Sequence, residues 1–355
     1  MARFHTLTVA GIERLTTGAV AIDFAVPEAL AEAYDFAPGQ YLTLKAEIDG
    51  EEVRRSYSIC APAGAGQLRV GVKAVPGGRF STFANEVLAV GDTLEVMEPE
   101  GRFTVDLGAR HDYLAIAAGS GITPILSIAE SVLEAEPKST VTLVYGNRDS
   151  ASIMFREALE GLKDRFLARL TLIHILSREA QDIELLSGRI DGERLGRLAR
   201  AGAIDPAGAD AVFLCGPGDM IDTATEALTA LGVAPEAIRT ERFTVDGAPA
   251  KPRSEAAEAA AEEGVAIEVI LDGVRRSFPL AGDVTVLGAA HAAGLEIPYS
   301  CAGGMCCTCR CRIVEGAAEM DVNYSLQPWE IEAGYVLACQ SRPTTEKLVL
   351  DFDAA

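Results

Sequence analysis

Cys301, Cys306, Cys309 and Cys339 are spaced C-x4-C-x2-C, with 29 residues before the last. Thiolates at that spacing suit the irons of a plant-type [2Fe–2S] cluster. Gly303 and Gly304 let the loop wrap closely, with backbone amides free to point at sulfur. Zinc is the competing reading, because four cysteines also make a structural zinc site. Zinc ligands usually come as two short-spaced pairs, whereas here three share a nine-residue loop and the fourth is distant. A Rieske centre needs two histidines, and near the loop there is only His291. Cys307 and Cys311 fall off the spacing and read as small residues packed beside the cluster.

A one-electron centre needs an electron source. Ala117-Ala118-Gly119-Ser120-Gly121-Ile122-Thr123-Pro124 reads as a glycine-rich turn from a strand into a helix. Such a turn leaves amides for a pyrophosphate. Gly119 and Gly121 permit close approach, Thr123 is placed to cap, and Pro124 suits the first helical turn. An ordinary tight βα turn is the plain alternative. Tyr145-Gly146-Asn147-Arg148 and Cys215-Gly216-Pro217-Gly218 each end a strand as well. Ligands of open parallel sheets bind at that end. Ser177 and Arg178 follow a third strand, where a hydroxyl and a guanidinium can hold the 2′-phosphate of NADPH. NADPH is therefore expected over NADH, which stays possible; a solvated loop arginine is the alternative reading.

Upstream lies Arg54-Arg55-Ser56-Tyr57-Ser58. On a strand Arg55 and Tyr57 share one face and Ser56 and Ser58 the other. A cation, an aromatic ring and a hydroxyl so grouped can serve phosphate, ring face and ring edge. Gly77-Gly78-Arg79-Phe80-Ser81 adds a second glycine turn into a helix start.

These segments must be positioned by three kinds of element. Residues 1–105 carry short alternating runs, Gln40–Leu44 and Leu68–Lys73 among them, that stop at Gly or Pro, as in a small antiparallel barrel. Residues 106–245 alternate apolar strands (Tyr113–Ala117, Val141–Tyr145, Leu170–Leu176, Ala211–Cys215) with helical segments, the pattern of a parallel sheet. Residues 246–264, rich in Pro, Ala and Glu, read as a linker with nothing to bury, Pro-stiffened and then partly helical. Residues 265–355 read as a small α+β unit opening with a hairpin, Val265–Phe278, turned at Asp272-Gly273.

A net charge of −21 excludes nucleic acid as a partner, since phosphates need a basic footprint. The amino terminus lacks an apolar signal core, and the longest apolar stretch, Tyr113–Ala129, is broken by Gly119, Gly121 and Pro124. No membrane partner is expected. Six of the eight cysteines crowd into 301–339 at cluster spacing, which points to a reducing cytoplasm rather than disulfides.

In this order the motifs R-x-Y-S, G-G-x-F-S, A-G-S-G-I-T-P, Y-G-N-R, C-G-P-G and the ferredoxin cysteines resemble the ferredoxin–NADP reductase superfamily. The likeness is to its fused oxygenase reductases and covers essentially the whole chain. More narrowly, Arg54–Ser58, Val72–Gly78, Cys306–Arg310, Glu319–Tyr324 and Gly334–Ser341 resemble the reductase subunits of phenylacetyl-CoA epoxidase complexes. The resemblance implies a flavin barrel, a nicotinamide α/β domain and a β-grasp ferredoxin domain. It implies that Arg55 contacts flavin phosphates, Tyr57 stacks on the isoalloxazine and Ser58 lies near its reactive nitrogen. Gly77, Gly78 and Ser81 would hold the FAD pyrophosphate; FMN, which some relatives use, has none. Gly119, Gly121 and Thr123 would hold the nicotinamide cofactor's phosphates, joined by Arg148, Ser177, Arg178, Gly216 and Pro217. Cys215 would lie at the site of hydride transfer. Glu241-Arg242-Phe243 matches the family's acidic-aromatic close to the reductase core.

The expected function is electron transfer from NADPH through FAD and [2Fe–2S] to a diiron oxygenase, with phenylacetyl-CoA epoxidase foremost. Another soluble diiron monooxygenase or a ring-hydroxylating dioxygenase is the rival acceptor. A non-catalytic redox sensor or a zinc-stabilised binding module is the remote one. The cofactors supply the redox chemistry, so no acid–base pair is expected. His5, His111, His174 and His291 read as structural.

Overall fold

Runs of alternating residues that stop at turns become strands, and the turns set which strands meet. The computed structural model describes residues 3–243 and 252–354. The chain divides into two compact units, Ala2–Asp246 and Gly247–Ala355.

The first unit opens with β1 (Phe4–Thr16), β2 (Ala19–Ala25), β3 (Tyr41–Ile48), β4 (Glu51–Ser58) and β5 (Leu68–Lys73), then helix α1 (Arg79–Glu86) and β6 (Thr93–Met97). Among the described residues these strands form a six-stranded antiparallel sheet in the order β4-β3-β6-β1-β2-β5. A bridge between Ile59 and Val70 brings its two edges together, so the sheet curls on itself. The alternation places Leu7, Val20, Ile22, Leu42, Leu44, Val70 and Val72 inside, where Phe80 and Ala84 of α1 join them. Each such fully buried side chain contributes about 1.5–3 kcal/mol of hydrophobic stabilisation.

A parallel sheet follows. Its elements are β7 (Asp112–Ala118), α2 (Ile122–Ala135), β8 (Thr140–Asn147), α3 (Arg156–Arg165), β9 (Leu170–Leu176), α4 (Gly192–Arg200), β10 (Ala211–Gly216), α5 (Gly218–Ala230) and β11 (Ile238–Arg242). The order is β11-β10-β7-β8-β9. Helices cover both faces. One core holds Ile125, Ile128 and Val132 of α2 together with Ala19, Ala21 and Cys60 of the barrel, so barrel and parallel sheet share packing. The opposite face buries Ile116, Val144 and Leu214 under Leu195, Leu198, Ile221 and Ala224. Strand β11 has no counterpart in the apolar pattern: Ile238-Arg239-Thr240-Glu241-Arg242 is short and polar.

In the second unit the stretch expected to be partly helical does form a helix, and the expectation that it buries nothing needs correcting. Residues 246–251 lie outside the described residues. Beyond them Ser254 caps helix α6 (Glu255–Glu263), its hydroxyl accepting from the Ala257 amide at 3.2 Å. Ala257 and Ala260 are buried at 3 % and 8 % exposure. Alanines three apart share one helix face and are small enough to seat the helix on the unit's core. Gly264, at φ +83°, ends it.

The hairpin follows as β12 (Val265–Leu271) and β13 (Val274–Leu280), with Asp272 and Gly273 both at positive φ as a type I′ turn requires. Then come α7 (Val286–Ala292), β14 (Arg310–Glu315), β15 (Ala318–Met320), α8 (Pro328–Glu332), β16 (Tyr335–Leu337), β17 (Ser341–Pro343) and β18 (Lys347–Asp351). The main sheet runs β13-β12-β18-β14-β16, with β12 and β18 parallel and the other pairs antiparallel. Among the described residues no helix is long and apolar enough to cross a membrane.

Candidate active site and cluster loop

The C-terminal ends of β7, β8, β9 and β10 are where the sequence motifs meet. After Ala118 the chain turns through Gly119–Gly121 into α2. A Cβ on Gly121 would stand 2.1 Å from the Cys215 carbonyl oxygen, so only glycine lets this loop press on the end of β10. Gly119 adopts φ +56°, and its carbonyl accepts from the Tyr145 hydroxyl at 3.0 Å. The expected capping role of Thr123 is corrected: α2 begins at Ile122, and the buried Thr123 hydroxyl donates to the Ser120 carbonyl at 2.9 Å.

The amides of Ser177 and Arg178 donate to the carbonyls of Asn147 and Arg148 at 2.9 and 2.7 Å. The segment after β9 is thereby fixed beside the segment after β8. Ser177, Arg178 and Arg148 all face solvent there. Gly216 closes β10, and Pro217 precedes α5.

Lys73 of the barrel reaches the same place. Its Nζ lies 3.0 Å from where a Cβ on Gly119 would be. Burial, and then the Arg148 guanidinium, pulls its pKa down. Among the described residues neither Lys73 nor Arg148 has a carboxylate within ion-pair distance, a costly state for a half-buried cation.

Strand β4 delivers Ser58, 3 % exposed, to the neighbouring strand ends. Its hydroxyl donates to Glu241 Oε2 at 3.2 Å. Parallel register sets Glu241 on β11 beside Cys215 on β10. Desolvation pushes the Glu241 carboxyl up to about 8, the Ser58 hydrogen bond opposing it. Burial raises the Cys215 thiol well above its ordinary range, and Glu241 adds to that. The site thus holds a neutral thiol and a carboxyl that keeps its proton to neutral pH. Nothing in the linear motifs pointed to an acid–base pair, yet tertiary structure joins Ser58 to Glu241.

The R-x-Y-S motif lies on the same strand. Arg55 is exposed, its guanidinium donating to the Arg54 carbonyl at 2.7 Å. Tyr57 is half-buried, with its ring 5.5 Å from that of Phe80. Gly77, at φ +72°, turns the chain so that Gly78 precedes α1. The Ser81 hydroxyl accepts from the Val75 amide and donates to the Gly78 carbonyl, both at 3.1 Å, so its proton is engaged inside the turn. An incoming phosphate would meet backbone amides here more than this hydroxyl.

In the second unit the cysteines sort into pairs. Cys301 and Cys306 share a hydrogen bond that lowers the first thiol and raises the second. Cys309 and Cys339 share another that raises the first and lowers the second. Each pair feels the other: Cys301 acts on Cys339 and Cys306 on Cys309. A dinuclear cluster needs two thiolates per iron in adjoining pairs. The donor set therefore fits [2Fe–2S].

The wrap of the loop costs backbone strain, with Ala302 at φ +50° and Cys307 at φ +61°. The Gly303 amide donates to Cys301 Sγ at 3.4 Å. Cys311 is fully buried in the core, and Cys307 is half-buried beside it. The histidines have packing partners: His5 with Glu98, His111 with Tyr113, His174 against Tyr145, and His291 against Tyr299.

Glu241, Lys73 and, beside the cluster, Gln340 carry no role in the linear motifs. Glu241 is visible there only as the acid closing the reductase core, and Lys73 and Gln340 only as members of the stretches Val72–Gly78 and Gly334–Ser341, with no role of their own.

Comparison with known proteins agrees with this layout. Residues 6–105 match the family described as an oxidoreductase FAD-binding domain, residues 115–226 an oxidoreductase NAD-binding domain, and residues 269–344 a 2Fe-2S iron–sulfur cluster binding domain. The chain is 50 % identical over 357 residues to one of the subunits of the 1,2-phenylacetyl-CoA epoxidase of Escherichia coli, covering 100 % of this chain and 99 % of that one. It is 35 % identical over 351 residues to the ferredoxin reductase component of the 3-ketosteroid-9-alpha-monooxygenase of Rhodococcus rhodochrous, covering 98 % and 96 %. The solved structure of phthalate dioxygenase reductase shares the fold, with TM-score 0.60 at 22 % identity and 98 % of each chain covered. With FAD-binding, NAD-binding and [2Fe–2S] domains in one polypeptide and full-length relatives that are oxygenase reductases, this chain belongs to the ferredoxin–NADP reductase superfamily, as an oxygenase reductase with a C-terminal plant-type ferredoxin domain.

Proposed function

We propose that this protein is the NADPH-dependent reductase of a phenylacetyl-CoA epoxidase, delivering electrons singly to its diiron oxygenase component in the cytoplasm. The observation that carries the choice of acceptor is 50 % identity, end to end, with the epoxidase polypeptide of Escherichia coli.

When bound, FAD would convert the electron pair of the nicotinamide into single electrons, and the [2Fe–2S] cluster would pass them on. The chain's residues bind, orient and shield. Tyr57 would offer a ring face to the flavin, Arg55 would neutralise its phosphates, and the turn at Gly77 and Gly78 would present amides. Gly119 and Gly121 would admit the nicotinamide cofactor's phosphates, with Lys73 and Arg148 as counter-charges. Arg178 and Ser177 would select the 2′-phosphate. Cys215 would pack the nicotinamide edge as an uncharged thiol, and the Ser58–Glu241 pair would hold a proton beside the flavin edge. Cys301, Cys306, Cys309 and Cys339 would hold the cluster.

An anaerobic titration with NADPH and separately with NADH, followed by visible absorption and EPR, tests the electron path. Flavin bleaching with a growing rhombic signal is expected, NADPH acting at lower concentration. A protein carrying zinc, or a cluster that neither nucleotide reduces, overturns the reading. Reconstitution with a phenylacetyl-CoA epoxidase oxygenase component tests the acceptor. A second reading, reductase of another monooxygenase, is favoured by the 35 % identity to the ketosteroid component, and faster turnover with that partner would select it.

A further inference from the structure

The residue after the last cluster ligand is a buried amide. Gln340 is 8 % exposed. Its Nε2 donates to Cys339 Sγ at 3.6 Å and to the Ala302 carbonyl at 3.0 Å. Both neighbours are acceptors, so the nitrogen and not the oxygen of the amide must face them. Gly304, at φ +75°, makes room: a Cβ there would stand 3.2 Å from Gln340 Cγ. The backbone of Gln340 is held at both ends, its amide donating to Leu337 O at 2.8 Å and its carbonyl accepting from Asp321 N at 3.0 Å. The side chain is thus aimed at one sulfur and at the residue that follows the first ligand, Cys301.

We propose that Gln340 sets the reduction potential of the cluster through its side-chain hydrogen bond to Cys339. Reduction adds one electron and places negative charge on the sulfurs. A fixed N–H donor stabilises that state more than the oxidised one and raises the potential. No bond breaks and no proton moves; the hydrogen stays on Gln340. The second hydrogen bond, to Ala302, keeps the donor in place and spans the loop. The inference rests on the cluster but not on the identity of the acceptor, so a failed oxygenase reconstitution leaves it standing.

The test is an EPR-monitored potentiometric titration of the full-length holoprotein. Gln340→Met keeps length and burial but removes the donor. With iron content unchanged, cluster reduction should become about tenfold less favourable, equivalent to about 59 mV for one electron. Gln340→Glu, which exchanges the donor for a carboxylate, should fall at least as far. An unshifted potential in a fully loaded Gln340→Met protein overturns the proposal. Should that variant lose its cluster, side-chain 15N-glutamine labelling of the wild type decides: a 15N coupling to the reduced cluster in pulsed EPR is expected, and its absence overturns the proposal.

Discussion

Ser58 Oγ donates to Glu241 Oε2 at 3.2 Å across 183 residues of chain. The bond ties β4 of the barrel to β11, the edge strand of the parallel sheet. It sits beside Cys215, a thiol that burial keeps neutral.

Glu241 gives a pH signature. Its carboxyl is raised from 4.5 to about 8, chiefly by desolvation. The folded state therefore holds a proton that the unfolded state has released across that window. Its contribution to stability is complete below pH 4.5 and is lost as pH rises through about 8. Glu241→Gln should remove this slope from thermal denaturation between those limits. It should also erase the inflection near pH 8 in stopped-flow flavin reduction. A variant that keeps both would place the titration elsewhere.

Gly121→Ala tests how closely the loop after β7 must approach β10. The new methyl would meet the Cys215 carbonyl at 2.1 Å, and backbone atoms have to shift to admit it. Overpacking of this kind costs about 1–3 kcal/mol. The displaced loop should raise KM for NADPH at least tenfold, with flavin content unchanged. A normal KM would show that the loop does not hold the cofactor.

Lys73→Met removes a half-buried cation that Arg148 and burial both disfavour. With no nucleotide bound the variant should be at least as stable as wild type. KM for NADPH should rise about tenfold, a loss of about 1.4 kcal/mol, and its dependence on salt should flatten. Equal KM and an unchanged salt slope would make Lys73 a bystander.

The ferredoxin unit depends on an ion pair between Arg310, next to Cys309, and Glu330, which is fully buried. Glu330 also accepts from the Gln327 amide at 2.9 Å, which starts α8. Arg310→Met takes the cation away from this buried carboxylate and should destabilise this unit by about 3–5 kcal/mol in chemical denaturation followed at the cluster absorbance. Arg310→Met with Glu330→Gln should recover part of it. Additive losses would argue against a coupled pair.

The paired cysteines make a compositional prediction. Cys309→Ser or Cys339→Ser should abolish the cluster, measured as iron and acid-labile sulfide. Cys307→Ser and Cys311→Ser should retain two irons per chain, with Cys311→Ser less stable because its thiol is enclosed in the core.

Local pattern reached far along this chain. Alternation ending in Gly drew β5 at Leu68–Lys73, and an apolar run drew β9 at Leu170–Leu176, both as folded. Asp272-Gly273 marked its hairpin because few other residue pairs tolerate two positive φ values in succession. Cysteine spacing named the cluster because the ligands come largely from one loop. These signals are short-range and survive in a linear string.

What the string could not show depends on partners far away in it. Ala257 and Ala260 look like linker until the folded unit buries both and its core receives Ala260. Strand β11 is polar and forms because β10 offers it an edge. Glu241 becomes a proton-holding group only when Ser58, Cys215 and a desolvating wall surround it. Gln340 becomes a donor to sulfur only when Gly304 opens space beside Cys339. The sequence by itself determined the cofactor class and the apolar, alternating strands, because both lie in residue type and near-neighbour spacing. Tertiary structure decided protonation states and hydrogen-bond targets, because burial and distance are properties of the packed chain.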